Sequence, residues 1–161
     1  MNIERVTEKA QSAILSAKDI AVRMGHQQID VEHLHLALLT QEDGLIPKLI
    51  KYMGADLPMY IRDVEAQLQS LPKVYGNGAS EIYMSRRFEQ LLNQGEDEAK
   101  RFKDEYTSVE HLYIALLKDR DRSLQSIFRK YGITIDKFMI ALSKVRSNQR
   151  ITSPNPEDTY D

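Results

Sequence analysis

The sequence predicts an all-α fold made of two pseudo-symmetric four-helix repeats, about eight helices in total. Three observations carry this. Residues 31–39 read Val-Glu-His-Leu-His-Leu-Ala-Leu-Leu, and residues 109–117 read Val-Glu-His-Leu-Tyr-Ile-Ala-Leu-Leu, an offset of 78. The same offset pairs Thr7 with Ser85, Asp19 with Asp97, Ala21 with Ala99, Asp30 with Ser108, Asp43 with Asp121 and Gly54 with Gly132. Two copies at this period make a symmetric pair rather than an extended solenoid. Apolar residues recur at helical spacing in both copies, and no segment alternates with period two for long enough to read as a strand. Capping residues and glycines divide each copy at matching places.

In the first copy Thr7 is a good N-cap, and Ala10, Ala13, Ile14, Ala17, Ala21 and Met24 share one helical face that stops at Gly25. Asp30 caps a second helix with Val31, Leu34, Ala37 and Leu38 facing inward, and Glu32 in its first turn suits the positive end of the helix dipole. Gly44 breaks that helix. A short third helix carries Ile46, Leu49 and Ile50 and ends at Gly54. A fourth runs from about Pro58 to Ser70, with proline at a first-turn position. The second copy repeats the plan from Ser85 to about Phe102, Ser108 to Lys118, Ser123 to Tyr131 and Thr134 to Arg146. The organisation is therefore a first repeat at 1–71, a connector at 72–84 with strong turn chemistry at Gly76-Asn77-Gly78, a second repeat at 85–146, and a polar tail at 147–161 that reads as a linker.

Composition bounds the function. The chain has 161 residues, 42% of them hydrophobic, with a formal net charge of −2, which argues against nucleic acid as the main partner. There are no cysteines, so disulfides, thiolate catalysis and cysteine-type zinc sites are excluded. No apolar run approaches bilayer length and nothing resembles a signal peptide, so a cytoplasmic protein is the expectation. Glu32-x-x-His35 has the spacing that puts two ligands on one helix face, but a di-iron bundle needs the pair twice and the second copy has Glu110 followed by Tyr113. No zinc-binding His-Glu-x-x-His, no phosphate-binding glycine loop and no nucleophile elbow occurs. No catalytic set and no metal is expected.

The repeat taken together with Thr7-Glu8-Lys9-Ala10, Gly25-His26 and Val31-Glu32-His33-Leu34 resembles the Clp N-terminal domain that begins Hsp100 AAA+ unfoldases, over residues 1–146. Leu71-Pro72-Lys73-Val74 and the tail from Ser147 to Tyr160 resemble the ClpB-type disaggregase branch and its linker toward a first ATPase module. The resemblance implies a substrate-recruitment domain. It would bind unfolded or aggregated polypeptide in a groove between the repeats and deliver it to the rest of a ClpB-type hexamer. ATP and Mg are implied for the parent protein and no cofactor for this fragment. A DnaK chaperone system would be met through other domains, and the isolated domain would be monomeric. The alternative is an adaptor- or phosphoarginine-binding N-domain of the ClpC-type, protease-coupled branch.

Residue by residue, the resemblance implies a ClpB-like polar set at Thr7, Asp104 and Glu110. The arginine-phosphate pattern would use Thr7 with Glu32 and Ser85 with Glu110. Each of these also has a helix-terminal role, as cap or first-turn carboxylate. Ile3, Val6, Ile14, Met84, Phe88 and Leu92 are candidates to line the groove, with Met84 and Phe88 foremost because they stand at the start of the second lobe.

Overall fold

A computed structural model describes residues 1–73, 81–147 and 149–160, with the side chain of Thr159 excepted. The predicted turn at Gly76-Asn77-Gly78 lies outside the described residues. Eight helices stand in chain order among those described: α1 (Glu8–Arg23), α2 (Val31–Thr40), α3 (Leu45–Tyr52), α4 (Leu57–Gln69), α5 (Arg86–Arg101), α6 (Val109–Lys118), α7 (Arg122–Lys130) and α8 (Ile135–Arg146).

The ends follow the caps. Thr7, Asp56, Ser85, Asp121 and Thr134 each accept a backbone N–H three residues on, satisfying one of the orphan donors of the helix start. Asp30 and Ser108 each form a capping box whose third helical residue is a histidine, His33 or His111. Gly54 (φ 83°) and Gly132 (φ 65°) hold the same left-handed position after the third helix of each copy, where a Cβ is disfavoured.

Helices α2 and α6 form the centre and are buried all round, including Glu32, His33, His35, Glu110 and His111. They meet at the pseudo-dyad, where the equivalent residues His35 and Tyr113 approach with ring centroids 6.1 Å apart. Tyr60 of α4 joins them: its hydroxyl lies 2.7 Å from that of Tyr113 and is bonded to His35 Nε2. The histidine of the Glu-x-x-His spacing is thus consumed by a buried hydrogen-bond network.

α5 packs on α6 through Gly95, which stands at the position of Ala17 in the first copy and presents no side chain; a Cβ there would sit 2.8 Å from Leu112 Cδ2. Leu112 is fully buried and has no room to swing away. Gly95→Val is expected to cost about 1–3 kcal/mol through overpacking, read as a lower urea midpoint with an unchanged slope.

The sequence shows no strand, yet two short ones form. β1 (Gln28–Ile29) pairs in parallel with β2 (Tyr83–Met84), and an isolated parallel bridge joins Val6 to Thr107. The two pairings are images of each other under the 78-residue offset. Each places the segment before one copy's first helix beside the segment before the other copy's second helix. Thr7 N–H donates to Thr107 C=O at 2.9 Å, and Ser85 N–H donates to Ile29 C=O at 3.0 Å. Two-residue strands fall below any periodicity signal.

The tail also departs from the expectation of a linker leaving the domain. Ser147, with φ 56°, turns the chain back after α8. Ile151 is then fully buried, and a short 3-10 turn spans Pro156–Thr159.

Candidate functional site

The paired strands bring the N-termini of α1 and α5 near the dyad and leave an apolar groove between those helices. It has a volume of about 350 Å³ and is lined by Met1, Ile3, Ile14, Met84, Glu89, Leu92 and Asn93. Ile14 and Leu92 are equivalent by repeat, so the two copies contribute matching walls. Ile3 and Met84 are 56% and 45% exposed, high values for large apolar side chains. Of the apolar residues read from the sequence, Ile3, Ile14, Met84 and Leu92 line this groove. Phe88 and Val6 do not. Phe88 is fully buried on the inward face of α5, so its assignment to the groove is corrected: a helical apolar stripe there is core.

The polar candidates fall into two corners related by the dyad. The first holds Thr7, Asp104 and Glu110 together with Ser108, His111 and Arg146, all of them buried. His111 Nδ1 accepts from Ser108 N–H at 2.9 Å, which assigns the proton to Nε2; Nε2 then donates to Asp104 Oδ2 at 2.8 Å. Arg146 donates to Asp104 Oδ1 through Nη2 and lies 3.6 Å from Glu110 Oε2 through Nη1. Burial favours the neutral form of Asp104. Donation from His111, the Ile151 N–H and Arg146 outweighs that and holds its carboxyl below the ordinary range.

Three tail groups enter the same corner. Glu157 Oε2 accepts from Thr7 Oγ1 at 2.7 Å and from Val109 N–H at 3.4 Å. Ile151 N–H donates to Asp104 Oδ1 at 2.9 Å, and Tyr160 Oη donates to Glu110 Oε2 at 3.1 Å.

The second corner holds Ser85 and Glu32 with Asp30, His26 and His33. Here His33 Nδ1 accepts from Asp30 N–H at 2.9 Å, and Nε2 faces His26 Nδ1 at 2.8 Å, in the place taken by Asp104 in the first corner. Arg87 reaches from α5 to Glu32 at 3.2 Å and stands 3.8 Å from Asp30. Burial raises the Glu32 carboxyl above its usual value against the pull of Arg87.

The sequence reading missed Arg146 and the tail groups. A signal existed for Arg146: its repeat counterpart is Leu68, fully buried, so a charged residue stands where the other copy needs an apolar one. Nothing in the pattern marks Glu157, because a carboxylate in a polar, proline-containing stretch is ordinary. Among the described residues no group of three or more His, Cys, Asp or Glu is arranged to hold a metal ion, and no helix is long and apolar enough to cross a membrane.

Residues 5–131 match the family of the Clp repeat (R) N-terminal domain. Over its full length the chain is 41% identical to the chaperone protein ClpB of Clostridium tetani and 42% identical to that of Nitratidesulfovibrio vulgaris, spanning 19% of each of these relatives. The fold is similar to the crystal structure of the Hsp104 N-terminal domain from Candida albicans, with a TM-score of 0.80 at 26% identity, covering 94% of this chain and 98% of that one.

Proposed function

The chain belongs to the Clp repeat N-terminal domain family, and from that premise we propose that it recruits unfolded or aggregated polypeptide through the groove between α1 and α5 for an ATP-driven, ring-forming disaggregase. The observation that carries this is the exposure of Ile3 and Met84 above a floor of Ile14 and Leu92. Unfolded clients share exposed apolar side chains and not a sequence, and a small groove with adaptable methionines binds them broadly and weakly. Weakness suits a domain that must release what it captures, and several copies on a ring recover avidity through effective concentration. ATP hydrolysis, ring contacts and co-chaperone contacts fall to parts of the chaperone outside this chain.

The alternative, an adaptor or phosphoarginine site on Thr7, Glu32, Ser85 and Glu110, has less support. Both glutamates already face guanidinium groups of the chain itself: Glu32 that of Arg87 at 3.2 Å and Glu110 that of Arg146 at 3.6 Å.

The test is fluorescence anisotropy with labelled, permanently unfolded casein. Met84→Asp combined with Ile3→Asp is expected to weaken binding at least tenfold. Because both side chains are exposed, the melting temperature should stay within a few degrees of wild type. Unchanged casein affinity in a folded double variant overturns the groove reading.

A further inference from the structure

Three tail contacts, at Thr7, Asp104 and Glu110, fall on the three residues of the first polar corner. The segment reaches them as an irregular run that ends in the 3-10 turn at Pro156–Thr159, and it is held by backbone as well as side-chain bonds. Beyond the Ile151 N–H bond to Asp104, the Ile151 carbonyl accepts from Glu105 N–H at 2.8 Å and the Pro154 carbonyl accepts from Glu8 N–H at 2.7 Å. Glu8 opens α1, so its N–H is one of the orphan donors of that helix start. The Ile151 side chain is fully buried. The Glu157 carboxylate then sits where α1 and α6 both begin, bonded to the cap of one and to the first N–H of the other. Both helix dipoles favour an anion at that point.

We propose that residues 149–160 are an internal ligand of the cleft between the starts of α1 and α6, and that the cleft's external partner is a peptide segment presenting an acidic side chain, which competes with Glu157. This rests on the reading of the chain as a polypeptide-binding domain and adds a second, polar site to the apolar groove.

The two corners differ in the way this requires. Among the described residues no carboxylate bonds Ser85, the counterpart of Thr7, and Arg87 fills the opening beside Glu32. The occupant is also imperfectly held. Glu157 Oε1 is buried without a hydrogen-bond partner, and burial together with the neighbouring Glu110 pushes the Glu157 carboxyl up to about 7. A tethered ligand at roughly millimolar effective concentration needs only weak intrinsic affinity to fill its site, so an external peptide can displace it.

The probe is a fluorescein-labelled synthetic peptide of residues 149–160, titrated into the intact chain. Wild type is expected to bind it weakly. Ile151→Asp, which places a charge in the buried pocket beside Asp104 and undocks the segment, is expected to bind it at least tenfold more tightly. Should Ile151→Asp lose helical circular dichroism, Glu157→Gln carries the test with an expected gain of about threefold. A peptide with alanine in place of the residue 157 glutamate is expected to bind the undocked chain at least tenfold more weakly. Equal affinity of the wild-type peptide for wild type and the undocked chain, or no binding to either, overturns the internal ligand. Equal affinity of the two peptides overturns the acidic requirement. Unfolded casein, run in parallel, reports on the groove: no casein binding alongside the expected gain in peptide affinity would fail the groove reading and leave this one standing.

Discussion

Replacing Arg146 by alanine is expected to destabilise the domain by about 3–5 kcal/mol, the usual cost of leaving a buried charge without its partner. Arg146 is 4% exposed and stands between Asp104 and Glu110, each side chain of which is fully buried. It also donates from Nε to the Gln149 carbonyl at 3.0 Å and lies over the Phe102 ring at 5.1 Å, so truncation removes packing as well as charge. Arg146→Lys recovers little, because an ammonium cannot span two carboxylates as a planar fork does. The measurement is urea unfolding followed by circular dichroism. Asp104→Asn combined with Arg146→Met is expected to be more stable than Arg146→Ala alone, since one of the two stranded carboxylates is gone and the methionine refills the space. If Arg146→Ala unfolds within 1 kcal/mol of wild type, the buried cluster does not hold the two carboxylates as described.

The second large effect is acid destabilisation driven by histidine. Burial pushes His35 down from 6.5 to about 3; burial, then the neighbouring His26, pushes His33 down to about 4. Both folded values lie below the unfolded one. The stability these neutral imidazoles supply is complete above pH 6.5 and is lost as pH falls toward the folded values. Between pH 6.5 and 5 each costs about 2 kcal/mol. Glu157 acts in the opposite sense: its docked carboxyl, raised from 4.5 to about 7, gains in relative stability over the same range, and Glu32 shifts in that direction too. The groups around Glu157 are Glu110 on α6, Thr7 before α1 and Tyr160 on its own segment, and Glu110 in turn faces Arg146 of α8, so the Glu157 proton is not isolated from the cluster. A Glu157→Gln background removes the Glu157 part of that offset. In that background the unfolding free energy is expected to fall by about 3–4 kcal/mol from pH 7 to 5, and His35→Leu is expected to remove about half of the fall. A flat profile in the Glu157→Gln chain would show that the buried histidines do not titrate on unfolding.

What could be read in the sequence follows from which forces are local. Caps such as Thr7 and Ser85 and stops such as Gly54 and Gly132 act within a few residues, so all eight helices were legible to within two or three positions. The repeat gave the dyad, and with it a groove between the first helices. Phe88 was misplaced because periodicity separates the two faces of a helix but not a face turned to the core from one turned to a groove. His35 and Tyr113 sit at the same repeat position with different chemistry, and only their meeting at the dyad with Tyr60 explains the pair. The strands and the docking of Ile151 and Glu157 are long-range pairings with no trace in local composition, and the Arg146 cluster shows only through the repeat, as a charge where the first copy has Leu68.

The crossed bridges decide what one repeat is worth without the other. The start of each first helix is hydrogen-bonded to the segment before the opposite copy's second helix, Thr7 to Thr107 and Ser85 to Ile29. A lone 78-residue unit would therefore expose two unpaired edges and the whole inner face of its central helix. Two such units would satisfy each other by exchanging the same edges about a two-fold axis, which is the geometry of an isologous, swapped homodimer. The chain is that dimer made continuous through the connector. Its lobes are locked by reciprocal exchange rather than joined by a hinge. Force applied at either end of the chain would thus move both lobes as one block before it opened the groove between them.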